Sequence, residues 1–118
     1  MARSLMSSYQ VGLFSEFVAR CFLRLHGFRI LYKRYVTGKN TNRAEIDIIA
    51  RKRNLIIFVE VKARHSFDLA CNAVTPAQSI RLRRSAETFL SQHYWTGDAR
   101  FDIIAICGLK IYWLKNAI

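Results

Sequence analysis

The first clear period along the chain is helical. From Ser8 to about His26, apolar residues recur three and four apart at Val11, Phe14, Val18, Cys21, Phe22 and Leu25, the spacing that sets one stripe of a helix against a core. Ser7 or Ser8 supplies an N-cap oxygen and Gly27 a C-terminal stop. Arg20 and Arg24 fall on the opposite side, and Glu16 on a flank shared with Gly12, Ala19 and Leu23.

After Gly27 the period changes to two. Phe28 to Val36 sets Ile30, Tyr32 and Arg34 on one side and Leu31, Lys33 and Tyr35 on the other, as a strand does. Thr37 to Asn42 reads as a loop. Ala44 to Ala50 is a second strand and Leu55 to Ala63 a third, with Arg51-Lys52-Arg53-Asn54 between them to close a hairpin. If Ala50 faces Leu55 across that four-residue loop, Asp47 lies opposite Phe58. Glu60 is then its diagonal neighbour, roughly 7–8 Å away along the sheet. A slip of one residue would send the two acids to opposite faces.

Ser66 to Val74 reads as a loop. Thr75-Pro76-Ala77-Gln78 then joins an N-cap, a proline at the first helical position and a capping-box glutamine. The helix runs to about His93, with Ile80, Ala86, Phe89 and Leu90 as apolar contacts and Arg81, Arg83 and Arg84 as a basic rim. Arg100 to Cys107 and Leu109 to Leu114 are the last two strands. The order α-β-β-β-α-β-β predicts a mixed sheet with helices packed on it, its fourth strand parallel to the third after a right-handed crossover. At 118 residues this is one domain, its core spanning about 8–114.

Composition narrows the partner more than the fold. The hydrophobic fraction of 52% excludes disorder, and the longest apolar run, Leu55 to Val59, is too short to span a bilayer. MARSLMSSYQ has no apolar core of a secretory signal. Cys21, Cys71 and Cys107 are odd in number and set among apolar residues, as core thiols of a reducing, cytoplasmic compartment would be. The 19 Lys and Arg against 8 Asp and Glu give a net charge of +11. That excess predicts a polyanionic partner, with nucleic acid ahead of an anionic membrane surface or ribosomal RNA.

Against so few acids, Asp47 and Glu60 stand out. Metal-dependent phosphodiester hydrolysis needs hard oxygen ligands that leave a divalent ion open to water and phosphate. Asp47, Glu60 and the backbone carbonyl of Val61 fit as ligands to Mg²⁺ or Mn²⁺, with Glu16 as a third carboxylate if the first helix crosses that end of the sheet. Lys62 shares a face with Glu60 and would hold the attacking water or steady charge on the phosphoryl oxygens. Arg43, Lys62, Arg64, Gln78, Arg81 and Arg84 are the expected contacts to the nucleic-acid backbone. Each residue also has an ordinary explanation. Glu-x-Lys on a strand is a common solvated pair, and Glu16 with Arg20 an i,i+4 helix pair. Asp47, between Ile46 and Ile48, is harder to explain away, since a lone acid there must meet a cation or water. Asp102 is expected to pair with Arg100. The three histidines read as surface residues, Tyr94 and Trp95 as packing or helix-terminating residues, and Arg51 to Arg53 as a soluble hairpin tip able to touch phosphate.

The segments VGLFSEFVARCFLRLHGFRIL, AEIDIIA, FVEVKAR, AVTPAQSIRLRRSAETFL and RFDIIAI, in this order and spacing from Val11 to Ile106, resemble the YraN-type family of small bacterial endonuclease-like proteins. The resemblance implies a restriction-endonuclease-like fold, similar to that of archaeal Holliday-junction resolvases, with an α-β-β-β-α-β core. It also implies that Asp47 matches the metal-site aspartate, Glu60 and Lys62 the E-x-K half of the motif, and Glu16 the first-helix glutamate. Two positions depart from the family pattern: Ala44 stands where many relatives have glycine, and Gln78 where they often carry lysine. The expected activity is metal-dependent DNA cleavage, selective for branched or structured DNA. A non-catalytic nucleic-acid-binding module and a basic ribosome-associated protein are the alternatives. A homodimer is compatible with the resemblance, though no stretch of sequence specifies an interface.

Overall fold

A computed structural model describes residues 7–38 and 43–118. Four residues of the expected Thr37–Asn42 loop, 39–42, lie outside the described residues. The elements run α1 (Ser8–Leu25), β1 (Arg29–Thr37), β2 (Ala44–Lys52), β3 (Leu55–Ala63), α2 (Phe67–Cys71), α3 (Pro76–Gln92), β4 (Asp98–Cys107) and β5 (Lys110–Leu114). The strands form one sheet in the order β1-β2-β3-β4-β5. Among the described residues only the β3–β4 pair is parallel, as a helical crossover requires. The mixed five-stranded α/β layout is the one the sequence predicts. The small α2 is an addition, nucleated inside the expected 66–74 loop by the Ser66 hydroxyl, which accepts from the Leu69 amide at 3.2 Å.

The two faces of the sheet carry separate cores. On one, Ala19 and Leu23 of α1 meet Phe28, Ile48, Ile57 and Val59. On the other, Leu82, Ala86 and Phe89 of α3 meet Ile46, Ile56 and Phe58. Each fully buried aliphatic or aromatic side chain contributes ~1.5–3 kcal/mol relative to exposure. Leu82 replaces the expected Ile80 on the packed face of α3, and Ile80 is exposed.

The packed face of α1 is also not the one its large residues suggest. Ser15, Ala19 and Leu23 are buried, whereas Phe14 and Leu25 are 59% and 86% exposed. Small side chains at 15 and 19 let the helix backbone approach the sheet; of the expected stripe Phe22 packs on that core, Val18 and Cys21 are half-buried, and Val11, Phe14 and Leu25 turn outward. The shift matters for the site because it is Glu16's flank that goes inward. A complete capping box fixes the helix start: Ser7 Oγ accepts from the Gln10 amide, and the Gln10 side chain accepts from the Ser7 amide.

The β2–β3 hairpin closes more tightly than expected. Lys52 pairs with Leu55 and Ile48 with Val59, so the turn is the two residues Arg53-Asn54, with Arg53 at φ 55°. Such left-handed φ belongs to the two-residue turns that match strand twist. The register therefore moves by two residues from Ala50 opposite Leu55. An even shift preserves the faces, and continuing the ladder brings Asp47 directly opposite Glu60. The three cysteines are free and half-buried, so they are not the core thiols expected. Among the described residues no helix is long and apolar enough to cross a membrane.

Candidate metal and phosphodiester site

Asp47 lies where β2 changes its relation to the two cores. Ile48 packs on the α1 side while Ile46, two residues away, packs on the α3 side, so simple alternation breaks between them. In β1, Lys33 pairs with Ile48 and Tyr35 with Ile46, which sets Arg34 opposite Asp47. Arg34 has φ 53°, an uncommon conformation for a side-chain-bearing residue and one that marks locally stored strain. Arg34, Asp47 and Glu60 thus form a row across three strands, with Lys62 one step further along β3.

Side chains take over hydrogen bonding at this end of the hairpin. The Val61 amide donates to Asp47 Oδ2 at 2.8 Å, and the Asp47 amide donates to Glu60 Oε1 at 3.3 Å. Each carboxylate is thereby held by the main chain beside the other. Lys62 Nζ stands 3.7 Å from Glu60 Oε2, and the Glu60 side chain is only 3% exposed. Two acids in a dry place with one nearby cation cannot both ionise cheaply. Burial raises the Asp47 carboxyl to about 6, against the opposing bond from Val61. Burial and then the charge of Asp47 raise Glu60 to about 8. Near neutral pH the pair is therefore disposed to share a retained proton between its two carboxyls. A divalent cation would remove the conflict that keeps the proton there, so the donor set fits such an ion.

Glu16 reaches the edge of this site. Its negative charge contributes to the upward shift of both Asp47 and Glu60, but its carboxylate is gripped by Arg34, Nε to Oε1 at 3.0 Å and Nη2 to Oε2 at 3.4 Å. Among the described residues no three His, Cys, Asp or Glu side chains gather closely enough to hold an ion together. The expected i,i+4 pairing of Glu16 with Arg20 is replaced by Arg34. Composition gave Arg34 no distinction; its role follows only once the β1–β2 register sets it opposite Asp47.

The residues expected to hold nucleic acid divide. Arg43, Gln78 and Arg81 line one depression of about 130 Å³ between the start of β2 and the start of α3, where Arg43 also lies 4.0 Å from Glu45. Arg84 is exposed on α3. Arg64 lines a different, more apolar groove with Val11, Phe14 and His65. Asp102 is wholly buried and pairs with Arg100 as expected, but it does more. It accepts two bonds from Arg100, one from Trp113 Nε1 and one from the Asn116 amide, all at 2.8–2.9 Å, and so pins β5 and the following residues to β4.

Comparison with known proteins adds a family. The profile of the uncharacterised protein family UPF0102 matches residues 15–106, which span every residue of the site. A UPF0102 protein of Bradyrhizobium diazoefficiens is 44% identical over 103 residues, covering 86% of this chain and 74% of that protein. Relatives from Rhizobium etli and Rhodopseudomonas palustris are 43% identical over 97 residues and 40% over 103, covering 80% and 86% of this chain and 76% of each relative. The chain belongs to the UPF0102 family, the YraN family to which its sequence motifs point.

Proposed function

We propose that this chain is a metal-dependent endonuclease of restriction-endonuclease-like fold that hydrolyses DNA phosphodiesters, with branched or structured DNA as the favoured substrate. The observation that carries the reading is the buried Asp47–Glu60 pair, stitched together by two main-chain amides with Lys62 beside it. A fold has no need of two adjacent buried acids competing for one proton, and such pairs cluster at functional sites. Asp47 and Glu60 would hold Mg²⁺ or Mn²⁺, with the Val61 carbonyl available next to them. When bound, the ion would supply Lewis acidity to the scissile phosphate and acidify a neighbouring water. Lys62 would orient that water or balance the charge growing on the phosphoryl oxygens. Arg34 keeps Glu16 at the rim as an auxiliary ligand or base. Arg43, Gln78, Arg81 and Arg84 would position the backbone, with Arg64 beyond them.

A second reading, a nucleic-acid-binding module without turnover, draws on the engagement of Glu16 by Arg34, which leaves two carboxylates rather than three. Mn²⁺-dependent cleavage of a panel of linear and branched DNAs separates the two. Under the nuclease reading the parent cleaves at least one substrate, while Asp47→Ala and Lys62→Ala remain folded and lose cleavage. Equal binding by parent and variants with no cleavage by the parent would leave the binding module.

A further inference from the structure

The far end of the sheet carries a second cluster of charge. Gly27, Arg29, Arg51, Lys52 and Arg53 line an open depression of about 510 Å³ between the end of α1 and the tip of the β2–β3 hairpin. Arg51 and Lys52 lie four and five residues along β2 from Asp47, ~14–17 Å away at the rise of a strand. This is therefore a separate place from the carboxylate site. Among the described residues none of these four cations has a carboxylate within 4 Å.

Two of the four are held in position. Lys52 Nζ donates to the His26 carbonyl at 2.9 Å, at the electronegative end of α1, and lies over the Phe28 ring. Arg51 donates from Nε to the Arg53 carbonyl at 2.9 Å and stacks on Trp95, 4.6 Å from the ring centroid. Gly27 leaves the floor open: with φ at 87°, a Cβ there would sit 3.1 Å from Lys52 Cε. Arg29 and Arg53 are exposed and complete the rim. A soluble hairpin tip requires only that its charges reach water, and like charges would then spread apart. Here Arg29, Lys52 and Arg53 border one hollow, with Arg51 at its margin because its guanidinium turns to Trp95, and an anion stabilises like charges so placed.

We propose that this depression binds a backbone phosphate of the nucleic acid, as an anchor distinct from the reacting position. The choice of polymer rests on the nuclease reading above; the anion site itself does not. Arg53→Asn with Arg29→Gln tests it, because asparagine accepts the left-handed φ that position 53 requires. Lys110→Gln with Lys115→Gln, at exposed positions on and after β5, removes the same charge elsewhere. Binding of a short labelled DNA duplex is followed by fluorescence anisotropy between about 50 and 200 mM salt, without divalent ions. Loss of that one phosphate contact should weaken binding severalfold and flatten the plot of log K against log salt by ~0.9, while the control pair changes the slope by much less. An unchanged slope, or the same change in both double variants, overturns the proposal. Binding to anionic vesicles that depends on Arg29 and Arg53, with no binding to DNA, also overturns it. A slope change in a protein that cleaves nothing would leave the anchor standing and remove the nuclease. Cleavage with an unaltered slope would do the reverse.

Discussion

Glu60 is the residue whose replacement says most about the candidate site. Burial and the charge of Asp47 push its carboxyl from 4.5 to about 8. Between those values the folded chain keeps a proton that the unfolded chain has released. Because the folded pKa is the higher one, the stabilising contribution is complete below the unfolded pKa and is lost as pH rises through about 8. One proton is worth ~1.4 kcal/mol per pH unit, so ~4 kcal/mol should disappear between about pH 5 and about pH 8. Glu60→Gln keeps the shape and stays neutral throughout. Urea unfolding in metal-free buffer should find the variant close to the parent at about pH 5 and more stable by several kcal/mol at about pH 8. Mn²⁺ added at the higher pH should restore the parent, by ~2.7 kcal/mol at a hundredfold excess over Kd, and leave the variant nearly unchanged. Parallel pH profiles for the two proteins would refute the reasoning, because Glu60 would then carry no retained proton.

Three further outcomes are expected. Asp102→Ala leaves Arg100, the Trp113 ring and the Asn116 amide without their acceptor and should cost ~3–5 kcal/mol; a loss below ~1 kcal/mol in chemical denaturation would contradict the role described. Glu16→Gln keeps an oxygen for Arg34 but removes a charge that raises both Asp47 and Glu60. Carboxyl NMR titration should therefore show both values falling, and static values would place Glu16 out of electrostatic range. Arg53→Asn alone relieves a left-handed residue in the hairpin turn and should raise stability by up to ~1 kcal/mol in thermal unfolding.

The elements of this fold are legible because period and punctuation agree: Thr75-Pro76 opens α3, Gly27 closes α1, and the crossover makes β4 parallel to β3. What the sequence hides is facing. On α1 part of the most hydrophobic stripe, Val11, Phe14 and Leu25, is exposed, since closeness of approach at Ser15 and Ala19 outweighs side-chain size in deciding which side meets the sheet. For the candidate site, the parity of Asp47 and Glu60 could be read, but not their distance, which depends on whether the hairpin turns in two residues or four. Arg34 was invisible for a related reason: its claim on Glu16 exists only after α1 is laid beside β1.

The bonds that join β2 to β3 beside the carboxylates have a property their neighbours lack. Elsewhere the strands are laced by backbone to backbone, and nothing short of opening the hairpin undoes them. At Asp47 and Val61 the acceptors are carboxylate oxygens, the same atoms an arriving cation would compete for. An ion that draws those oxygens toward itself would loosen two main-chain amides. Under the metal-dependent reading the hairpin would thus carry a built-in gauge of occupancy, readable as hydrogen exchange at two named N–H groups before any substrate is supplied.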